Sequence, residues 1–448
     1  MRKTFLSVAM IAASALVLAS CAMPADDPNF NANGAGLDAS AASQAAVSQS
    51  GLEAALLPPT SIGVDAPLPA APAKGASIVS LTDGSAYEAV FETSLAEAAK
   101  VLGWTVETVT VDPTDPTGAA TAFDAALAKK PAGIHITGTF QDALTDSLAK
   151  AQTAKIPVIC TGCSGDPSGG ITDTSINGTA QNTTWADVMA TYVVTNQYQG
   201  EDAGVQVMTL PGGAIQDFNN EFNATLVSQC HNCSSTESVI DPTALDLTDP
   251  TAVAAYVVSE MSTSLGAWTL LDSGSLSGGV ADALATDPTL LSPVVLIGRG
   301  AAASDVAALQ ALGGSAPAGS AAASSGASAG ASAAASPSAA SAAASPDAAA
   351  SGAAASGDAA ASGDAGGGRT LEQAQALQAW IAIPQPVMAW RVIDQFARLI
   401  GGGQPETGPL PSQLLTGGNA ASAVLDADGN YIGIADYQDQ FTKLWGVK

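Results

Sequence analysis

Residues 77–103 read SIVSLTDGSAYEAVFETSLAEAAKVLG, and the fold turns on how this stretch is parsed. Residues 77–83 are a short apolar run ending in Asp, the right length for a buried strand. Ser85 with Glu88 three positions on forms a capping box, Phe91, Leu95, Ala98 and Leu102 then recur at helical spacing, and Gly103 supplies the stop. The stretch is therefore one strand followed by one helix. The pattern returns at 105–112 with 117–130, at 133–138 with 141–155, and in a strand at 157–161. Such βα repeats predict a parallel, doubly wound sheet with right-handed crossovers. A helix at 184–197 leads into a second series: strand 204–210, helix 215–228, strand 236–240, helix 252–261, strand 268–272, helix 278–285, strand 294–298 and helix 305–312. Residues 380–383 continue as a strand, and 386–400 as a helix opening on Pro386, acceptable in a first turn. Residues 423–425 and 431–434 flank Asp428-Gly429 and read as a hairpin before a short tail. The fold class is α/β, with two doubly wound parallel-sheet lobes.

The 448 residues carry 41 acidic and 14 basic side chains, a net charge of -27, which excludes sequence-independent phosphate binding; no nucleic-acid partner is expected. With 47% apolar and 12% charged residues the chain can bury a core, so a wholly disordered protein is excluded. Residues 1–20 read as a secretory signal, with Arg2 and Lys3 before an apolar stretch too short to span a bilayer. Leu18-Ala19-Ser20-Cys21 resembles a bacterial lipobox, which implies a lipid on Cys21 and a chain held on the outer side of the cell membrane. Cleavage removes two basic residues and no acidic ones, so 12 bases against 41 acids leave -29. Residues 21–75, rich in Ala, Ser, Asn, Asp and Pro, are expected to be a lipidated flexible tether. Residues 313–368, almost entirely Ala, Ser, Gly, Pro and Asp, are expected to be a disordered insertion.

Two C-x-x-C pairs remain, Cys160 with Cys163 and Cys230 with Cys233. In an exported chain two local disulfides are favoured over zinc or redox chemistry, while cross-pairing between the lobes stays open. The two histidines, His135 within a strand and His231 within a cysteine motif, suggest no Ser-His-Asp constellation. Asp426, Asp428 and Asn430 lack the Gly and Glu of a calcium loop and fit a turn. No metal and no cofactor is expected.

From about residue 75 to the end, the pattern resembles the type I periplasmic binding proteins, specifically the ribose/galactose-like substrate-binding proteins of ABC transporters. The resemblance is carried by 77–103, by Gly162-Cys163-Ser164 after the fourth strand, by Leu210-Pro211-Gly212-Gly213 before a helix, by 270–279, and by 381–387 with its Gln-Pro. It implies two lobes joined by a three-strand hinge: 76–180 as lobe 1, 181–383 as lobe 2, 384–418 returning to lobe 1, and 419–448 as lobe 2 and tail. It further implies a monomer that captures a small polar molecule, a sugar or related compound, and delivers it to ABC permease subunits, with no enzyme activity. The family's sugar clamp is not matched, since Gly162-Cys163, Phe218, Ser273 and Arg299 stand at its positions. An Arg there points to a ligand with an anionic or carbonyl group, because guanidinium presents a rigid bidentate fork.

Ligands of open α/β sheets bind beyond the carboxyl ends of the strands. That rule nominates Asp83, Ser85, Tyr87, Thr139, Phe140, Gln141, Asp241, Asp272, Ser273, Arg299 and Gln385. Asp83 and Asp272 would accept from hydroxyls, and Tyr87 and Phe140 would offer ring faces. Two alternatives stay open: a sensory lipoprotein presenting its closed form to a membrane receptor, and a redox or hydrolytic enzyme on the same scaffold.

Overall fold

The computed structural model describes residues 48–112, 115, 117–197, 203–241, 243–263, 267–287, 294–315 and 370–447. The signal, Cys21, the first part of the expected tether and all but the start of the expected insertion lie outside the described residues. The first described element is a helix, α1 (residues 48–55).

In the first lobe β1 (Ser77–Thr82), β2 (Thr105–Thr110), β3 (Gly133–Thr137) and β4 (Val158–Thr161) form a parallel sheet in the order β2-β1-β3-β4. Strands β1, β3 and β4 are almost wholly buried, whereas edge strand β2, TVETVT, is largely exposed. The crossovers are α2 (Ala86–Val101), α3 (Gly118–Ala128) and α4 (Thr145–Ala154). The helix expected from 141 begins at Thr145, because Gly138–Phe140 and Asp142–Leu144 are separate 3-10 turns.

The second lobe holds β5 (Gly204–Thr209), β6 (Ser234–Val239), β7 (Trp268–Leu271), β8 (Val295–Arg299), β9 (Ala379–Ala382) and β10 (Gln413–Thr416), in the order β10-β9-β8-β7-β5-β6. All pairs are parallel except β10 with β9. Its helices are α5 (Thr179–Thr195), α6 (Ala214–Gln229), α7 (Pro250–Thr263), α8 (Val280–Thr286), α9 (Ala303–Ser315) and the short α10 (Leu371–Ala376), while α11 (Gln385–Ile400) and α12 (Tyr437–Trp445) close the chain. Helix α9 thus runs to Ser315, beyond the expected start of the insertion at 313.

The C-terminal path differs from expectation in three places. Helix α11 packs on α2 of the first lobe, but β10 then extends the second sheet instead of staying with lobe 1. Helix α12 goes back to α11: Tyr437, Phe441 and Trp445 recur at four-residue spacing and meet Trp390, with Trp445 stacked on it at 5.2 Å. The expected hairpin reduces to a single bridge, Leu425 with Tyr431, because the Asp426 carboxylate accepts from the backbone N–H groups of Asp428 and Asn430 and closes a side-chain turn.

Residues 48–75 are not a flexible tether. Leu52, Ile62 and Val64 are 4%, 1% and 5% exposed and belong to the main core. The cause is α11, a helix buried on nearly every side that carries Arg391, Asp394 and Arg398. Buried guanidinium groups need acceptors. The segment supplies its backbone carbonyls: Arg391 Nη2 donates to Ile62 O at 2.9 Å and Arg398 Nη2 to Ala66 O at 2.6 Å. Asp394 in turn accepts from Arg398 Nε at 2.7 Å and Trp445 Nε1 at 2.9 Å.

A polar chain crosses the first sheet. Thr108 and Ser80 donate to Glu92 at 2.7 and 2.6 Å, Ser80 Oγ lies 2.8 Å from His135 Nδ1, and His135 Nε2 lies 3.1 Å from Thr161 Oγ1. Burial pushes His135 down to about 3, so the folded chain holds it neutral. Below the ordinary imidazole value the unfolded chain takes up a proton that the folded chain refuses. Stability from this group is present above about pH 6.5 and is lost progressively toward pH 3. Relative to His135→Gln, the wild-type chain is expected to lose about 2 kcal/mol between pH 7 and pH 5, measured by urea unfolding. Burial of Glu92 acts in the opposite sense but is common to both proteins. A difference that does not change with pH would show that His135 is not held neutral.

Candidate functional site

The carboxyl ends of both sheets face a common seam, where the lobes touch through three sets of contacts. At the first, Asp83 accepts from Ser85 N at 2.8 Å, and Ser85 caps α2 by accepting from Glu88 N at 3.3 Å. Ser275, in the 3-10 turn after β7, places its hydroxyl 3.1 Å from Ser85 Oγ and donates to Asp83 Oδ2 at 3.3 Å. Ser273 caps that turn by accepting from Ser275 N. The Tyr87 ring lies against Gly274 so closely that a Cβ there would come within 2.5 Å of it.

The second set is built on backbone. Gly162 O, in the turn closed by the Cys160–Cys163 disulfide, accepts from Ala214 N at 2.8 Å. A Cβ on Gly213 would sit 2.5 Å from Gly162 O, so this approach requires glycine. Asp217 on α6 fastens the contact, accepting from Ser164 Oγ at 2.8 Å and from Thr179 Oγ1. Cys230 pairs with Cys233 away from this contact, between α6 and β6.

The third set centres on Arg299 at the end of β8. Its Nη1 donates to Asp272 O at 3.1 Å, its Nη2 donates to Asn177 Oδ1 at 3.0 Å, and its guanidinium carbon stands 5.8 Å over the Phe218 ring. Burial lowers the Arg299 pKa, with Tyr87 and Asp272 opposing the shift. Asp272 Oδ2 accepts from Asn219 Nδ2 at 2.9 Å, while Oδ1 has no hydrogen-bond partner. Burial pushes Asp272 up to about 7, against the pull of Thr209, Asn219 and Arg299. Asp305, which accepts from Ala302 N at 2.8 Å, is likewise pushed up to about 7 by burial. Tyr87, beside Gln385 and Arg299, is raised to about 12 by loss of solvent. The Tyr87 hydroxyl and Gln385 Oε1 are both buried without completing a hydrogen bond.

The seam thus brings together Asp83, Ser85, Tyr87, Asp272, Ser273, Arg299 and Gln385 from the nominated set. It leaves others out. Phe140 is 8% exposed and packs in the core of the first lobe, so it offers no open face. Gln141 uses its amide on the backbone of Ser164, and Thr139 is exposed. Asp241 is exposed and closes its own turn by accepting from the Thr243 N–H and hydroxyl, which lowers its pKa. Arg299 is present but engaged, so the expected fork for an anionic ligand already binds the protein. Asn177, Asp217, Asn219 and Ser275 were not anticipated; only Asn219 left a signal, as a polar residue beside the apolar stripe Ala214, Phe218, Phe222 and Leu226 of α6. A separate groove of about 1340 Å³ among α1, α5 and residues 404–412 contains none of the nominated residues.

The family model for the periplasmic binding protein domain matches residues 76–262. The chain has no match among curated proteins. Solved structures similar to it include an ABC transporter solute-binding protein from Agrobacterium vitis with bound allitol, at 15% identity over 78% of this chain and 98% of that chain, with a TM-score of 0.51. A glucose-galactose binding protein from Geobacillus stearothermophilus is similar at 11% identity over 77% and 98% of the two chains, with a TM-score of 0.51. An ABC sugar transporter subunit from Rhodobacter sphaeroides is similar at 13% identity over 77% and 98%, again with a TM-score of 0.51. Together with the paired parallel sheets and the seam at their carboxyl ends, these show that residues 76–262 match the periplasmic binding protein domain and that the chain has the fold of the type I periplasmic binding proteins.

Proposed function

We propose that this chain is an extracytoplasmic solute-binding protein of an ABC importer, which captures a sugar or related polyol between its lobes and hands it to membrane permease subunits. The observation that carries this reading is the seam: buried polar groups from both lobes converge at the carboxyl ends of two sheets, and several lack partners. A ligand contacting both lobes at once stabilises the closed arrangement over the open one, and the permease reads the difference. No bond is made or broken. On this reading Cys21 carries the lipid that keeps a monomer at the outer face of the membrane, and the cysteine pairs are structural.

A thermal-shift screen of the chain from residue 22 onward against hexoses, pentoses and polyols tests it. A ligand present at about 100 times its dissociation constant, and binding only the folded state, adds about 2.7 kcal/mol. Asp217→Ala removes the acceptor for Ser164 across the seam and for Thr179 at the start of α5. It is expected to weaken binding about tenfold, roughly the worth of one hydrogen bond to a charged group, and to shift small-angle scattering toward the open form. A folded chain that responds to no member of the panel would overturn the reading.

A further inference from the structure

We propose that the seam selects a ligand that donates hydrogen bonds and carries a positive charge, an amine-bearing sugar or polyol, over its neutral parent and over a carboxylate. This deepens the solute-binding reading and rests on it.

Beside the Tyr87 hydroxyl and Asp305 Oδ1, three further side-chain oxygens at the seam have no hydrogen-bond partner: Asp272 Oδ1, Asn219 Oδ1 and Gln385 Oε1. Their side chains are 0%, 2% and 5% exposed, out of reach of bulk solvent. All three are acceptors, and a buried acceptor left unmet is costly. A ligand rich in N–H and O–H groups answers that need; one presenting acceptors does not.

Charge narrows the class further. Asp272 and Asp305 are 0% and 2% exposed, and the less buried Asp83 and Asp217 take part in the contacts between the lobes. Against these carboxylates the seam sets one cation, Arg299, whose two terminal nitrogens already donate to Asp272 O and Asn177 Oδ1 while Phe218 lies under its face. No other described cation is near: Arg391 and Arg398 bind residues 62 and 66, and every described lysine is exposed. A buried carboxylate without a full counter-charge attracts an ammonium group, and a carboxylate ligand would meet like charge. Hydroxyls alone would meet the acceptors and leave the charge uncompensated.

Isothermal titration at pH 7 and low salt would compare D-glucosamine, D-galactosamine and D-mannosamine with their parent hexoses and uronates. At least one amino sugar is expected to bind about tenfold or more tightly than its parent, with its uronate weakest. Asp272→Asn, isosteric and lacking the charge, is expected to bring amine and parent within about threefold. Asp305→Asn gives the same comparison should the first variant melt at markedly lower temperature. A parent hexose binding as tightly as its amine would overturn the charge inference and leave the solute-binding reading standing. Failure of hexoses, amino sugars and uronates alike would overturn both.

Discussion

Arg299→Met is expected to destabilise the folded chain at both pH 5 and pH 8, and by about 1 kcal/mol more at pH 8. At pH 8 the variant leaves the Asp272 carboxylate, 0% exposed, without the positive group that offsets its burial. Arg299 donates to the Asp272 backbone O and not to its carboxylate, but its nearby positive charge favours the ionised form of that buried group, and the variant removes it. The pH dependence follows from the direction of the shift. Asp272 in the folded chain sits at about 7, above the ordinary carboxylate value, so its contribution is fully present below about pH 4 and is lost as pH rises through 7. Taking away Arg299 raises Asp272 further. At pH 5 the carboxyl is protonated with or without the guanidinium, and only the contacts to Asn177 and Phe218 are missing. Urea unfolding of the two proteins at both pH values checks this. Arg299→Lys should recover part of the deficit at pH 8, since a single ammonium restores charge but cannot reach Asp272 O and Asn177 Oδ1 together. Equal deficits at the two pH values would show that Asp272 is not the group Arg299 compensates.

The alternation of strands and helices was legible because each buried strand is a short apolar run and each helix carries its own start, stripe and stop. Ser85, Phe91, Leu95 and Gly103 do this within 19 residues, with no help from elsewhere in the chain. The site was half legible for a related reason: Asp83, Asp272 and Arg299 lie at strand ends, and strand ends are found by periodicity. Asn177 was not. It adopts a left-handed backbone at φ 54 in a loop, and its partner Arg299 is 122 residues away, so neither its conformation nor its contact leaves a local pattern. Helix α12 was hidden because YQDQFTKLW is polar between the apolar positions that meet Trp390. Strand β10 is only four residues long and follows Pro405, Pro409 and Pro411, which reads as loop. Phe140 erred the other way: a ring after a strand end was available by rule, but tertiary packing claimed it for the core.

The segment before β1 is where sequence and structure part most widely, and it carries the second large effect. A chain beginning at residue 76 is expected to be less stable than one beginning at residue 22 by at least about 5 kcal/mol, since full burial of each of Leu52, Ile62 and Val64 contributes about 1.5–3 kcal/mol. The prolines that made 48–75 look unstructured explain why it can be ordered. Pro58, Pro59, Pro67, Pro69 and Pro72 restrict the unfolded chain, so less entropy is lost when the segment is laid down. An extended Pro-rich backbone also leaves its carbonyls unpaired. Those carbonyls are what the neighbouring donors need: Arg391 takes Ile62 O, Arg398 takes Ala66 O, Trp104 takes Ala73 O at 2.7 Å, and Gln413 and Asn419 both take Leu56 O at 2.9 Å. Truncation therefore strips apolar cover from α11 and leaves two buried guanidinium groups short of acceptors. Ile62→Asp isolates the apolar part without removing the carbonyls, and its deficit in urea unfolding should be about half that of the truncation or more, because it also buries a charge. Equal stability of the two chain lengths would mean that residues 48–75 rest on the fold without supporting it. The deficit would instead show that the chain upstream of β1 supports the fold, joined at once to α11 and to β10.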